Sequence, residues 1–246
     1  MIKIAICDDE EYSIKHEAYM ITSVMKKLNE DCIIDEYINP LDLINTEKNY
    51  DMIFLDVEIN EFNGINIANK VRNLNKNCFI FFVTNHEKYL DNALNERAFR
   101  FWTKPLDMHR LLYGIKSALY EIEIQCKKIQ IHIGNNLENI NIHNVIYIYV
   151  NNKKTHIITK YGEFISTDSF KKIFEQVKEI DFFCETARGY IVNFNFIKRY
   201  TKNNVSILVR DDEHKVDISR RKYKEFYNKF INYIGRILWE LILAWF

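Results

Sequence analysis

Five residues in the first half of the chain could form one reactive site. Each lies one or two positions after the end of a short apolar run. They are Asp8, Asp9, Asp56, Thr84 and Lys104. Three carboxylates held close together repel one another, which raises their proton affinity unless a cation lies between them. Oxygen ligands of this kind suit a hard divalent ion, and Mg²⁺ fits the set best. We therefore expect these acids to form a magnesium site.

The same residues are suited to phosphoryl transfer. The carboxylate of Asp56 can attack a phosphorus atom and form an acyl phosphate. The metal ion and the Lys104 ammonium would then neutralise the equatorial phosphoryl oxygens, while the Thr84 hydroxyl donates a hydrogen bond to one of them. The chemistry therefore needs side chains from four separate apolar runs to meet at one place.

A parallel sheet would position these side chains. Apolar runs occupy residues 3–7, 32–37, 52–55, 79–83 and 100–102. Between the first two runs, apolar residues recur at spacings of four and three, which predicts an amphipathic helix, and similar stripes follow each later run. We therefore predict an α/β domain with a doubly wound sheet of five parallel strands, five helices and a functional crevice at the carboxyl ends of the strands.

Four segments of this half carry a resemblance to a known family: ICDDE, IFLDVEINEFNGI, FFVTNH and FRFWTKP. Over roughly residues 1–121, the chain resembles the receiver domain of bacterial two-component response regulators, which has a flavodoxin-like fold. The resemblance implies that Asp56 accepts a phosphoryl group from a sensor histidine kinase. It also implies that Mg²⁺ is bound by Asp8, Asp9, Asp56 and the backbone carbonyl of Glu58.

The resemblance assigns further roles around the phosphoacceptor. Thr84 and Lys104 are expected to report phosphorylation by conformational change, and Phe101 takes the place of the family's aromatic switch residue. The Lys104–Pro105 peptide is expected to be cis. Gly64 matches the family's loop glycine. Phosphorylation is expected to favour a homodimer.

A different enzyme class also forms an aspartyl phosphate. Haloacid-dehalogenase-like phosphatases place an Asp-x-Asp pair after a strand, and the corresponding pair here is Asp56 and Glu58. In that class the nucleophile lies on the first strand and the metal-binding acids come late, whereas Asp8 and Asp9 come first in this chain. A phosphatase-like enzyme acting through Asp56 stays open as the alternative.

The second half of the chain has the period of strands rather than of helices. Alternation over residues 129–133 is followed by short apolar runs with turns between them. One helix is predicted to open at Thr167 or Asp168 as its N-cap. We therefore predict a mostly β domain over residues 129–235, joined to the first domain by the polar stretch 122–128.

Two segments of this half, FFCETARGYIVNFNFIKRY and VDISRRKYKEF, resemble the LytTR DNA-binding domain. Such domains bind double-stranded DNA with loops of a β-fold rather than with a recognition helix. The resemblance places His156, Arg188 and Arg221 in three base-reading loops. Arginine can bridge two acceptors of guanine, whereas other surface cations pair with phosphate. The predicted phosphate contacts are Lys153, Lys154, Lys160, Lys198, Lys202 and Arg220.

Charge and composition fit this division. Residues 1–120 hold 14 Lys and Arg against 19 Asp and Glu, a balance of −5, and residues 121–246 hold 20 against 15, a balance of +5. A cationic second half suits a polyanionic partner, although a protein-binding output stays open. The five cysteines form no CxxC pair, and no apolar run approaches the roughly 18 residues of a membrane span. We expect a cytoplasmic protein without a membrane span.

The apolar tail, residues 236–246, lies beyond the resemblance. From Tyr223 onward, apolar residues keep a three-and-four spacing to the terminus, which predicts one continuous amphipathic helix. Arg236 and Glu240 make the tail too charged, and it is too short, to span a membrane. Packing against its own domain, a dimer contact and an interfacial membrane helix all stay open.

Overall fold

The computed structural model describes residues 1–85, 87–89, 98–210 and 212–245. Two compact units divide most of the chain, Met1–Ile122 and Glu123–Glu240. In the first unit, five strands form one parallel sheet in the order β2-β1-β3-β6-β7, and a short hairpin, β4-β5, lies outside it. The strands are β1 (Ile2–Cys7), β2 (Cys32–Tyr37), β3 (Met52–Leu55), β4 (Glu58–Ile59), β5 (Phe62–Asn63), β6 (Phe79–Thr84) and β7 (Arg100–Thr103).

The predicted doubly wound sheet is confirmed by this strand order. The described α-helices of this unit are α1 (Glu11–Lys27), α2 (Pro40–Asn45), α3 (Gly64–Leu74) and α4 (Met108–Cys126). The further helix predicted after β6 falls mainly on residues 90–97, which lie outside the described residues. The stretch predicted as a linker is helical as far as Cys126.

Both faces of the parallel sheet are buried, which explains why its strands are continuous apolar runs. Successive residues of a strand point to opposite faces, so Phe54 and Leu55 belong to different cores. One core contains Leu55 and Phe82 together with residues of α2 and α3. The other contains Phe54 and Trp102 with residues of α1 and α4. The sheet is thus held between two helical layers and its edge is rigidly placed.

Gly64, the first residue of α3, lies against the loop that follows β3. A Cβ atom at this position would lie 2.0 Å from the backbone oxygen of Asp56 and 2.9 Å from the Cα atom of Val57. The Gly64 amide donates a hydrogen bond to the Val57 carbonyl at 2.7 Å. Only a residue without a side chain fits this close approach.

The second unit consists mostly of antiparallel strands, as predicted. Its sheets have the orders β12-β11-β10-β14-β13, β15-β16-β17 and β8-β9. Its helices are α5 (Phe170–Val177) and α6 (Tyr223–Trp245), the latter running past Glu240. The strands are β8 (Lys128–Ile133), β9 (Asn136–Asn141), β10 (Val145–Asn151), β11 (Lys154–Thr159), β12 (Gly162–Ser166), β13 (Phe183–Ala187), β14 (Tyr190–Asn193), β15 (Ile197–Tyr200), β16 (Asn204–Val209) and β17 (Asp212–Asp217).

The predicted N-cap of α5 is wrong by one or two residues. Ser169 caps the helix, with its hydroxyl oxygen accepting a hydrogen bond from the Lys172 amide at 3.3 Å. The Asp168 carboxylate is already bound by the backbone amide of His132 at 2.7 Å. Two capping residues in succession look alike in a sequence, and this long-range partner decides between them.

The single helix predicted for the end of the chain is confirmed, because α6 is continuous from Tyr223 to Trp245. An aromatic cluster holds its first half. The ring of Phe194 lies 5.8 Å from that of Phe226 and 5.3 Å from that of Phe230. Among the described residues, no helix has the length and apolar character needed to cross a bilayer.

Replacing Gly64 by alanine is expected to destabilise the first unit by roughly 1 to 3 kcal/mol, because the added methyl group forces the backbone of α3 away from Asp56. Differential scanning calorimetry measures the change. Gly235→Ala in α6 is the control, since a Cβ atom there meets nothing within 4 Å. An unchanged melting temperature for Gly64→Ala would show that α3 does not press on the loop.

Candidate functional site

Asp8 and Asp56 lie side by side because their strands are neighbours. β1 pairs with β3 in parallel, and Cys7 lies opposite Leu55, so the next residue of each strand emerges at the same edge. The backbone amide of Asp56 donates to the Cys7 carbonyl at 3.0 Å. This edge is where the strand order reverses, which is the usual ligand position in open α/β sheets.

The ammonium group of Lys104 joins the two carboxylates. Its Nζ atom donates to Asp56 Oδ2 at 2.7 Å and also to Asp8 Oδ2. The Lys104 side chain is 13% exposed and that of Asp8 only 1%. Burial lowers the pKa of Lys104, but hydrogen bonds to Asp56 and Asp8 outweigh it, so the pKa is raised above its ordinary value. The lysine therefore stays charged at neutral pH and balances part of the acidic charge.

Asp8 is the most enclosed acid of the cluster. Its burial raises the pKa of the carboxyl group, while hydrogen bonds from Lys104 and the backbone amide of Glu10 oppose that change. The Glu10 amide donates to Asp8 Oδ1 at 2.9 Å. Because burial dominates, Asp8 gains most from a cation placed beside it.

The donors are carboxylate oxygens, a ligand type that suits a hard divalent ion, but of the three predicted acids only Asp8 and Asp56 share a partner in the structure. Asp8 and Asp56 already share one cation, the Lys104 ammonium, and Asp9 is the next residue after Asp8. The Asp9 carboxylate accepts a hydrogen bond from the backbone amide of Asn60 at 3.0 Å. Across the ranges that the structure describes, no three His, Cys, Asp or Glu side chains lie close enough together to hold a metal. Oxygen donors are the ligands that Mg²⁺ prefers.

Thr84 is the last residue of β6, and Phe101 lies in β7, the strand next to it. Thr84 ends β6 and is fully buried, and its carbonyl accepts a hydrogen bond from the Lys104 amide at 2.9 Å. Phe101, in β7, is 5% exposed, with its ring 6.5 Å from that of Phe82. The Lys104–Pro105 peptide is cis, as the resemblance implies. Asp8, Asp56, Thr84 and Lys104 are thus brought to one edge.

Glu58 lies beside the cluster but turns its side chain away from it. Its amide donates to Asp56 Oδ1 at 3.2 Å. Its carboxylate accepts a hydrogen bond from the Tyr89 hydroxyl at 2.7 Å and pairs with Lys88 Nζ at 3.0 Å. Tyr89 is 31 residues further along the chain, so local sequence patterns do not reveal this contact.

Glu17 is a neighbour of the cluster that sequence reasoning missed. It lies on α1 three residues after Ile14 and is only 4% exposed. Burial raises the pKa of its carboxyl group to about 8, the charge of Lys104 opposes this rise, and the charges of Asp8 and Asp56 add to it. The available signal was an acid placed on the core-facing stripe of an amphipathic helix.

In the second unit, two of the predicted DNA-contact turns lie next to each other. Between β10 and β11, Asn152 and Lys153 have φ of 48° and 63°. Between β13 and β14 the turn is Arg188–Gly189. The amide of Val150 donates to the Gly189 carbonyl at 3.0 Å, which ties the two turns together. The side chains of Lys153 and Arg188 are both exposed.

A third turn joins this end of the unit. The Ser219 amide donates to the carbonyl of Thr186 at 2.9 Å, two residues before Arg188. Arg220 and Arg221 follow directly, and both are exposed. The structure therefore brings together five of the predicted cations, which are Lys153, Lys154, Arg188, Arg220 and Arg221.

The prediction that His156 lies in a loop is wrong. The preceding turn needs only two residues, so strand pairing resumes at Lys154, and His156 pairs with Tyr149 on one side and Ile165 on the other. Its Nδ1 atom lies 2.7 Å from Glu163 Oε1, and the side chain is 12% exposed. The imidazole is therefore engaged within the sheet.

Two domain families match the chain, one in each half. The response regulator receiver domain matches residues 4–116, and the LytTr DNA-binding domain matches residues 135–231. The chain belongs to the two-component response regulators. The first unit of this regulator is its receiver domain and the second carries its DNA-binding output, so the alternative of a phosphatase-like enzyme is not favoured.

Relatives of this regulator share both halves. It is 25% identical to the sensory transduction protein LytT of Bacillus subtilis (strain 168) over 240 residues, covering 92% of this chain and 97% of LytT. It is 24% identical to the transcriptional regulatory protein LytR of Staphylococcus aureus (strain N315) over 248 residues, with the same two coverages, 92% and 97%.

Solved structures match the receiver. The response regulatory domain of protein mrkE from Klebsiella pneumoniae is 22% identical, with a TM-score of 0.46, covering 50% of this chain and 100% of that domain. A receiver domain protein from Clostridium thermocellum is 18% identical, with a TM-score of 0.44, covering 50% of this chain and 98% of that protein.

The buried Glu17 makes the stability of the receiver depend on pH. The folded state keeps the Glu17 proton up to a pKa of about 8, whereas the unfolded chain loses it near the ordinary value of 4.5. Folding therefore takes up a proton between these values, and stability falls as pH rises through this window. Glu17→Gln removes this titration. The free energy of unfolding of the variant, relative to that of the wild type, should therefore rise by roughly 1 to 4 kcal/mol from pH 5 to pH 8.

Urea unfolding at several pH values, without divalent cations, measures this difference. The control is Glu30→Gln, because Glu30 is exposed just beyond α1. Parallel stability profiles for the wild type and Glu17→Gln would show that Glu17 is already ionised in the folded receiver.

Proposed function

We propose that a sensor histidine kinase phosphorylates Asp56 and that this phosphorylation controls DNA binding by the LytTR domain. The observation that carries the proposal is the contact of Lys104 with both Asp8 and Asp56 at the switch point of the sheet. The names of the relatives LytT and LytR, a sensory transduction protein and a transcriptional regulatory protein, support it.

In the proposed transfer, a carboxylate oxygen of Asp56 attacks the phosphorus atom of the donor. The new O–P bond forms as the bond to the leaving group breaks, and the leaving group takes the bonding electron pair. The Lys104 ammonium, already within hydrogen-bond distance of Asp56, neutralises an equatorial oxygen, and the Thr84 hydroxyl donates to another.

The metal proposed for this site is Mg²⁺. Asp8, Asp9, Asp56 and the backbone carbonyl of Glu58 would hold it. When bound, it supplies positive charge against the oxygens of the transferring group. The Lys104 ammonium, which donates to both Asp8 and Asp56 in the structure, would then turn from Asp8 to the phosphoryl group on Asp56.

The proposed output is a change in the receiver surface that favours a homodimer. Thr84 ends β6 and Lys104 directly follows the neighbouring strand β7, and Phe101 is buried three residues before Lys104. A phosphoryl group that draws in the Thr84 hydroxyl alters the packing around Phe101 and shifts the population toward the active conformation. Two DNA-binding domains held in one dimer occupy repeated half-sites together.

On DNA, the three adjacent turns are proposed to make two kinds of contact, to base edges and to phosphates. Arg188 and Arg221 are proposed to read base edges, because a guanidinium can make two parallel hydrogen bonds to guanine. Lys153, Lys154 and Arg220 are proposed to bind phosphates. Their shared position at one end of the unit and their exposure support this division.

We also propose that the regulator acts in the cytoplasm and that its only catalysis is its own phosphorylation. The phosphatase-like alternative predicts steady turnover of a phosphorylated substrate. A steady-state phosphatase assay that shows turnover dependent on Asp56 would favour that alternative.

The phosphorylation proposal is tested with acetyl phosphate and Mg²⁺. Wild-type protein is expected to gain the mass of one phosphoryl group and to bind more tightly to a duplex that it has selected from a randomised pool. Asp56→Asn should show neither effect, because an amide is a poor nucleophile. Asp42→Asn, at an exposed acid of α2, is the matched control and should behave as wild type. Equal tightening for wild type and Asp56→Asn would contradict the proposal.

The DNA contacts are tested by substitution on the turns. Arg221→Ala is expected to weaken binding to the selected duplex by about 1 to 3 kcal/mol and to relax base preference at one position. Lys154→Ala should weaken binding to all sequences alike and lower the salt dependence by about one charge. Fluorescence anisotropy at several salt concentrations measures both effects.

Lys171→Ala, at an exposed lysine of α5, is the control for nonspecific loss of charge. If Arg221→Ala and Lys154→Ala both bind like this control, the turns are not the DNA-contact surface.

A further inference from the structure

One row of rings crosses the sheet of the second unit at the base of two basic turns. Tyr149 of β10 lies opposite His156 of β11 and opposite Tyr190 of β14. The ring of Tyr149 stacks on that of His156 with centroids 4.7 Å apart, and on that of Tyr190 with centroids 6.1 Å apart. The row therefore connects three neighbouring strands on one face of the sheet.

A single carboxylate oxygen fastens this row. Glu163 Oε1, on β12, lies 2.7 Å from His156 Nδ1 and accepts a hydrogen bond from the Tyr149 hydroxyl at 3.1 Å. An ionised carboxylate only accepts hydrogen bonds, which assigns the Nδ1 atom of His156 as the donor in this pair. With two donors converging on one oxygen, Glu163 joins β10, β11 and β12 through side chains.

The row lies close to the turn that carries the predicted phosphate contacts. The pair of Tyr149 and His156 is the third cross-strand pair from that turn. Both central residues of the turn, Asn152 and Lys153, have positive φ, a conformation that costs energy for residues other than glycine. A turn of this kind keeps its direction only when the strands below it are held in register.

The other end of the row lies under the second turn. Tyr190 directly follows Gly189, whose carbonyl accepts a hydrogen bond from the Val150 amide, the residue after Tyr149. The row thus supports both the Lys153 turn and the turn that carries Arg188.

We propose that Glu163 and Tyr149 are positioning residues for DNA recognition, and that His156 acts through them instead of contacting a base. The row of His156, Tyr149 and Tyr190, fastened by Glu163, sets the angle between the two basic turns. The inference rests on DNA binding by the LytTR domain. It assigns a favourable role to an acid, although an acid near a DNA surface would otherwise only repel phosphate.

The test is a double-mutant cycle on the full chain, with binding measured by anisotropy on the selected duplex. Glu163→Ala and His156→Ala are each expected to weaken binding by about 5- to 20-fold. The double variant should bind no more weakly than the single variant with the larger loss of affinity, because both substitutions remove the same hydrogen bond. Glu163→Gln keeps an acceptor oxygen for both rings and should bind within about twofold of wild type.

Further measurements separate positioning from a purely structural role. The ratio of affinities for the selected and a scrambled duplex should fall in Glu163→Ala, while the salt dependence stays at the wild-type value because no cation is removed. Tyr149→Phe, which loses only a hydroxyl group, should show the same fall to a smaller degree. Glu138→Ala, at an exposed acid of β9, is the matched control and should bind as wild type.

Three results would overturn the proposal. One is wild-type affinity in Glu163→Ala with weak binding in His156→Ala, as expected for a direct base contact. Another is a double variant whose loss of affinity equals the product of the two single losses. The third is DNA binding that becomes tighter by the same factor in Glu163→Ala and Glu163→Gln, as expected if only the charge of Glu163 matters. A wild-type protein that binds no duplex would instead overturn DNA binding itself, so the two failures are distinguishable.

Discussion

The receiver depends on one electrostatic arrangement, the Lys104 ammonium held between the buried carboxylates of Asp8 and Asp56. At about 4 Å, two unit charges near a protein surface interact by roughly 4 kcal/mol, so two unbalanced acids at this edge would destabilise the sheet. The lysine offsets that repulsion with hydrogen bonds to both acids. A site balanced in this way keeps the Lys104 ammonium next to the carboxylate that would accept the phosphoryl group.

The fold supplies the precision that this arrangement needs. β1, β3 and β7 deliver the two acids and the lysine from positions up to 96 residues apart. Gly64 lets α3 approach the backbone of Asp56, and Glu17 lies behind the cluster on α1. Each of these contacts constrains the same edge of the sheet, so the packing and the proposed chemistry are linked.

Sequence reasoning recovered the parts of this protein that depend on periodicity and on the ends of strands. Asp8, Asp56 and Lys104 could be placed together because parallel strands end at a common edge. His156 was misplaced because a two-residue turn and a longer loop differ only in where pairing resumes, which depends on the positive φ of Asn152 and Lys153. The carboxylate of Glu163 and the burial of Glu17 were missed, since both follow from contacts between distant elements.

We propose that Asp56, beside acids that would hold a divalent cation, accepts a phosphoryl group. Tandem mass spectrometry of the protein after reaction with acetyl phosphate tests it most directly. The predicted result is one phosphoryl group, located on the peptide that contains Asp56, which forms with Mg²⁺ and does not form when the metal is chelated before the reaction. A phosphoryl group on another residue, or one that forms equally well without a divalent cation, would contradict the account.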